Sequence, residues 1–168
     1  MADANNKPGN VILGTMRMNE AGQSSRELAK FLAQVFDVGV TKLHSSDEYD
    51  SFPLLCASLS ELRTIRPDIA FDHVVKLADP GFDEIQFDAR RLGSRLAKYC
   101  SELGTTKIDD VQWMWRCGLN DDDDRIRNFQ KTADQINSAS TFLKSQAIID
   151  RFLCFPYSVS FALAAVQT

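Results

Sequence analysis

The stretch Val11-Ile12-Leu13-Gly14-Thr15-Met16, with Ser24-Ser25-Arg26-Glu27-Leu28 and Val40-Thr41-Lys42-Leu43-His44 beyond it, contains one full cycle of the pattern that fills this chain. The first run is apolar, too short for a helix, and interrupted by a glycine, so it predicts a strand. Ser24 or Ser25 then caps a helix, with Glu27 early in its first turn. Leu28, Phe31, Leu32, Val35 and Phe36 recur at helical spacing and give that helix one apolar face. Asp37-Val38-Gly39 closes it, and Val40 to His44 reads as the second strand.

The cycle repeats outward from there. A helix near Pro53 to Leu62 precedes a strand over Ile69 to Leu77, and a long helix from about Glu84 to Leu103 precedes a strand over Asp110 to Trp115. A fourth helix, about Arg125 to Leu143, leads to a strand over Ile148 to Phe155, and Ser158 to Val166 starts a fifth helix. Strands alternating with helices are the signature of an α/β protein with a parallel sheet. Residues 1–10 are expected to be a disordered N-terminus, and residues 11–168 one domain, because no low-complexity linker divides them. Gly14-Thr15-Met16-Arg17-Met18 lacks the GxGxxG fingerprint, which argues against a Rossmann dinucleotide site.

Composition narrows the partners. The chain has 168 residues, 44% of them apolar, and a formal net charge of -4 from 19 Lys and Arg against 23 Asp and Glu. A chain of this length buries about 70% of its unfolded surface, so one sizeable core is expected. No basic stripe is present, which argues against nucleic acid and anionic membranes as partners. No apolar run approaches the roughly 20 residues of a spanning helix, and the start lacks the pattern of a secretory signal. The expectation is a soluble, cytoplasmic protein. Cys56, Cys100, Cys117 and Cys154 form no CxxC pair, and His44 and His73 are the only histidines. Zinc-ligand spacing is therefore missing, and free thiols are expected.

In barrel and open α/β folds, sites gather beyond the carboxyl ends of the strands. Those ends supply Gly14, Thr15 and Met16; then His44-Ser45-Ser46-Asp47-Glu48-Tyr49; then Lys76; then Trp115-Arg116; then Cys154-Phe155-Pro156-Tyr157-Ser158. Leu13-Gly14-Thr15-Met16, the stretch from Asp37-Val38-Gly39-Val40-Thr41 through Asp47-Glu48-Tyr49, and Val74-Val75-Lys76 resemble the first three β/α units of the aldo-keto reductases. The resemblance runs from about residue 11 to residue 160. It implies a partial (β/α)8 TIM-type barrel of about five parallel strands. It also implies an NAD(P)H-dependent reductase in which hydride goes to a carbonyl carbon and a tyrosine protonates the oxygen.

Matched by motif, Tyr49 falls on the family's tyrosine and Lys76 on its lysine. His44 stands where the family has an aspartate, and Trp115 where it has a histidine. Gly14, Thr15 and Met16 would border the nicotinamide. The pattern accounts for about five β/α units, whereas a whole barrel takes about 250 residues. The family's later nucleotide-gripping segments have no counterpart in it. The resemblance therefore implies weak NADPH or NADH binding by one chain, and impaired activity or a partner, a homodimer or another chain, that completes the barrel. The alternative is a non-catalytic remnant, a small-molecule or protein binding module, or a truncated gene product.

The physical logic rests on two groups. A phenol near pKa 10 is a poor acid unless a cation stabilises its anion, and an ammonium from Lys76 within about 4–6 Å of Tyr49 would do so. Asp47 is a nearby carboxylate that could stand in for the family's aspartate. The bland readings are that Tyr49 is a packing residue, Lys76 a strand end reaching water, and both histidines satisfied structural groups. Trp113 and Trp115, two apart on a strand, share one face that reads as core or pocket lining. Asp121 to Asp124 read as a solvated helix start, where negative charge meets the helix N-terminus.

Overall fold

The computed structural model describes residues 11–77, 88–114, 122–155 and 158–167. In chain order they form β1 (Ile12–Gly14), α1 (Ser25–Asp37), β2 (Lys42–Ser45), α2 (Phe52–Ile65), β3 (Asp72–Leu77), α3 (Ala89–Leu103), β4 (Ile108–Met114), α4 (Asp122–Ser145), β5 (Ile149–Phe155) and α5 (Val159–Val166). The strands pair in sequence order, β1-β2-β3-β4-β5, and every pairing is parallel. Parallel neighbours need a long crossover, and a helix supplies each one. Successive helices pack on one another, α1 on α2 through to α4 on α5, and so form one layer. This is the α/β architecture the alternation predicts, an arc of a β/α barrel.

Several ends move by a few residues, each for a local reason. β1 is three residues long, because Thr15 leaves the strand and its carbonyl accepts the Met18 amide in a turn. β2 begins at Lys42 rather than Val40, whose amide instead bonds the Val35 carbonyl in the exit turn of α1, where Gly39 has φ +94°. β3 begins at Asp72 because Arg66 to Ile69 form a turn held by the Ile69 amide and by an Arg66–Asp68 ion pair. β4 starts at Ile108, two residues before the expected Asp110. α3 starts at Ala89, where the Asp88 carboxylate accepts the amides of Arg90 and Arg91. Glu84, the expected helix start, lies outside the described residues, as do residues 1–10. The Ser24 cap is a full capping box with Glu27, and Ser158 caps α5 through the Phe161 amide.

Strand residues alternate between two faces. One set, including Leu43, Val75, Leu77, Val111 and Trp113, is buried with Leu28, Leu32, Leu59, Leu92 and Leu96 from the helices, and this is the core. The other set carries Lys42, His44, Asp72, Lys76, Asp110, Gln112 and Arg151, and their mutual contacts place them on one face. A barrel interior is ordinarily filled with branched apolar side chains. An apolar inner face is the expectation for an open arc of that kind, and this face is instead mostly polar and charged, with Val74 buried among these groups.

At its lower end Lys42 bridges Asp72 (3.4 Å) and Asp110 (3.6 Å), and the Arg151 guanidinium grips Asp110 through two nitrogens. Burial alone would raise the Asp110 pKa, but Arg151 and Lys42 outweigh it and hold the carboxyl below its ordinary value. Trp113 is core, one of the two settings its strand spacing suggests, and lies against the Phe152 ring. Cys56 and Cys100 are free thiols, and burial pushes both up, Cys56 to about 11. Cys117 lies outside the described residues. Among the described residues no helix is long and apolar enough to cross a membrane. Asp123 and Asp124 occupy the first turn of α4, with Asp124 paired to Arg127, as a helix start predicts.

Candidate active site

At the carboxyl ends of β2, β3 and β4, the inner face brings together His44, Tyr49, Lys76 and Gln112. His44 and Lys76 sit at alternating positions of neighbouring strands, with His44 opposite Val74 and Lys76 opposite Gln112. The parallel register sets His44 beside Val74, and period-2 spacing then puts Lys76, two residues further along β3, on the same side. Tyr49 comes from the turn between β2 and α2. Its amide bonds the Ser46 carbonyl (3.1 Å), and its own carbonyl accepts the Phe52 amide (2.8 Å).

The Lys76 ammonium lies over the Tyr49 ring, 4.7 Å from its centroid. That is a cation–π contact. The two groups matched by motif therefore meet. Their electrostatics differ from the simple expectation, however. Burial, followed by the negative charge of Glu48, holds the Tyr49 phenol above its ordinary value rather than below it.

The His44 ring lies 6.3 Å from the Tyr49 ring, centroid to centroid, and its Nε2 is 3.0 Å from Gln112 Oε1. Gln112 therefore orients the imidazole. Sequence reasoning missed Gln112, although its spacing of two from Asp110 and its place on β4 put it on the inner face. Trp115 lies outside the described residues.

Asp47 does not take the place of the family's aspartate beside Lys76. Its carboxylate accepts the Tyr99 hydroxyl (2.6 Å) and Arg95 Nη2 (2.8 and 3.1 Å), both from α3. A carboxylate with these partners is committed to α3, on the helix side of the loop.

The three residues after β1 behave differently from one another. Gly14 is exposed, and a Cβ built on it meets nothing within 4 Å, so no close approach demands glycine there. Met16 is more than half exposed. Thr15 is buried, its hydroxyl donating to the His44 carbonyl (2.9 Å) and its carbonyl accepting the Ser51 hydroxyl (2.7 Å). Gly14 and Met16 thus stand exposed at the end of β1. Thr15 serves instead as a strut that ties the end of β1 to β2 and α2.

Lys42, Asp72, Asp110 and Arg151 occupy the same face further down and neutralise one another in pairs. His73 is on the helix side, against Phe71 and buried, so it has no access to this mouth.

No protein-family model matches the chain, and no curated protein matches it. Solved structures do. A Pseudomonas aeruginosa protein assigned to the aldo-keto reductases superposes with a TM-score of 0.65 at 21% identity, over 93% of this chain and 58% of its own. An aldo-keto reductase from Klebsiella pneumoniae, solved in complex with NADPH, gives 0.65 at 20% identity over 95% of this chain and 50% of its own. One from Bacillus halodurans, in its holo form, gives 0.64 at 15% identity over 96% and 52%. The chain spans about half the length of the solved structures it matches. At such identities the likeness speaks for the fold: the described arc matches part of the β/α barrel of these solved structures.

Proposed function

We propose that this chain carries a reductase site of the aldo-keto reductase kind, which converts an aldehyde or ketone to an alcohol with NADPH or NADH. What supports the reading is the Lys76 ammonium 4.7 Å over the ring of Tyr49, at the carboxyl ends of parallel strands. Gly14 and Met16 fit one face of the cofactor's nicotinamide, which when bound supplies the hydride.

The chain's own residues handle the proton. Tyr49, held above its ordinary pKa by burial and Glu48, carries its proton on Oη throughout the neutral range. It gives that proton to the carbonyl oxygen as negative charge develops there, a contribution of about 10²–10⁴-fold when the donor is well placed. The phenolate that forms is stabilised by the Lys76 ammonium. Gln112 accepts a hydrogen bond from His44 Nε2 and so holds the imidazole at the edge of the mouth, where its ring borders the space for the substrate. The raised phenol makes this a slow acid, and the cofactor is bound weakly by one chain. A homodimer or another chain that completes the barrel would complete the mouth, and such an assembly in the cytoplasm is part of the proposal.

The upward direction of the Tyr49 pKa favours a second reading, in which the arc is a non-catalytic small-molecule or protein binding module. Titration with NADPH while following tryptophan fluorescence separates the two. The reductase reading expects saturable quenching and carbonyl-dependent loss of NADPH absorbance that Tyr49→Phe abolishes with the fold intact. Absence of quenching at millimolar NADPH ends it, and an unchanged rate in Tyr49→Phe removes the assigned proton donor.

A further inference from the structure

Tyr49 sits on a loop, whereas Lys76 sits on a central strand, so their contact depends on what fixes the loop. The loop is short, Ser46 to Ser51, and its backbone bonds from Ser46 to Tyr49 and from Tyr49 to Phe52 define its curl. They do not define its tilt over the sheet. That is set by α3. The Asp47 carboxylate takes Arg95 Nη2 at 2.8 and 3.1 Å and the Tyr99 hydroxyl at 2.6 Å. The Asp47 amide in turn donates to the same Tyr99 oxygen at 2.5 Å.

The Tyr99 hydroxyl thus gives a hydrogen bond to Asp47 and receives one from it, closing a ring of contacts two residues before Tyr49. Its aromatic ring is fully buried and lies edge-on to Phe52, the first residue of α2, 5.4 Å away. Helix α3 therefore holds the loop at both its start and its end. On the opposite side the Ser51 hydroxyl ties the loop to the Thr15 carbonyl.

We infer that Asp47, gripped by Arg95 and Tyr99, is a positioning residue that sets the Tyr49 ring against the Lys76 ammonium. The inference rests on the proposed role of Tyr49 for its catalytic meaning, but the clamp itself stands on geometry. Misplacement of a reacting group by about 1 Å can cost about 10²-fold in rate, so a loop-borne donor needs such a support. Arg95 and Tyr99 are four residues apart, on one face of α3, and both reach the same carboxylate.

The test uses the full chain with carbon-13 in its tyrosine rings. The sequence has three tyrosines, so the Tyr49 signal is assigned by its loss in Tyr49→Phe. In the parent protein, Lys76→Met is expected to shift the Tyr49 ring resonance, because the charge above it is removed. In Tyr99→Phe, which keeps the buried ring, and in Asp47→Ala, the Tyr49 resonance should already be displaced and Lys76→Met should shift it far less. Asp47→Asn keeps one acceptor oxygen, enough for the Tyr99 hydroxyl, and should restore part of the response. Circular dichroism verifies that each variant is folded.

An equal Lys76-dependent shift with and without the Tyr99 hydroxyl and the Asp47 carboxylate overturns the clamp. So does a parent Tyr49 signal indifferent to Lys76→Met. Neither arm uses cofactor or turnover: a chain that binds no NADPH yet gives these shifts keeps the clamp and loses the reductase reading. Where turnover is measured, Tyr99→Phe should lower kcat by up to about 10²-fold and leave KM nearly unchanged.

Discussion

Tyr49 and His73 are titratable groups whose surroundings move them in ways their immediate sequence neighbours only partly foretell. Glu48 adds to burial in raising the Tyr49 phenol, so Glu48→Gln should lower that pKa, measured by ultraviolet or NMR titration of the tyrosine signal. Removing a negative neighbour lightens the electrostatic cost of the phenolate, which fixes the sign. His73 offers a stability test. Burial is the main force lowering its pKa to about 4, with Arg63 acting in the same direction and Asp109 against it.

An unfolded histidine titrates near 6.5, so between the two values the unfolded chain binds a proton that the folded chain refuses. Stability is therefore full above about pH 6.5 and falls as the pH drops toward 4. The expected loss at pH 4.5 is about 2–3 kcal/mol, read by urea denaturation. His73→Gln should flatten that dependence. His73 is buried with its ring edge-on to Phe71, and its backbone amide donates to the Asp109 carboxylate.

At the scale of elements, two glycines of one region carry opposite expectations. Gly104 ends α3 at φ +64°, and a Cβ there would meet Arg63 Nη1 at 2.7 Å. The same guanidinium donates to the Leu103 carbonyl and so caps the helix. Gly104→Ala strains the backbone and displaces that cap, at an expected cost of about 1–2 kcal/mol. Gly93 lies inside α3, where a Cβ meets nothing within 4 Å, and faces a groove of about 860 Å³ shared with Ser138 and Phe142 of α4. Gly93→Ala should therefore stabilise the protein by about 0.5–1 kcal/mol. Thermal and urea melts of the two variants should move in opposite directions. The α3 helix was legible from its amphipathic pattern, but neither consequence was, because each depends on what α2 or α4 presents to it.

At the scale of the molecule, the charged inner face is the feature most at odds with an unfinished apolar barrel. Asp110 is nearly inaccessible and paired to Arg151 and Lys42. Its pKa is depressed, so its contribution is present at neutral pH and disappears as the pH falls through its folded value. Asp110→Asn should cost about 1–3 kcal/mol at pH 7 and reduce the acid sensitivity of the fold. A loss as large at pH 2 as at pH 7 would contradict this account.

β1 and β5 pair with one neighbour each in this sheet, and strand edges of that kind invite a further strand. Exposed Val159, Leu163 and Val166 add an apolar flank on α5. The proposed dimer follows at this scale: sedimentation should give a concentration-dependent association, and a stable monomer at micromolar concentration would refute it.

The sequence by itself determined the order of strands and helices, and narrowed the α1 cap to Ser24 or Ser25 and Trp113 to a core or pocket-lining face. Each follows from spacings of two to four residues, which the chain's own geometry enforces wherever it sits. The meeting of Tyr49 with Lys76 was legible only because both lie at strand ends matched by a family motif. Only the tertiary structure decided that Asp47 turns to Arg95 and Tyr99, 48 and 52 residues away, and that His44 finds Gln112, 68 residues away. The polar inner face depended likewise on the parallel register of four strands. Such pairings are set by packing between elements distant in the chain, where many partners are chemically acceptable and the folded geometry selects one.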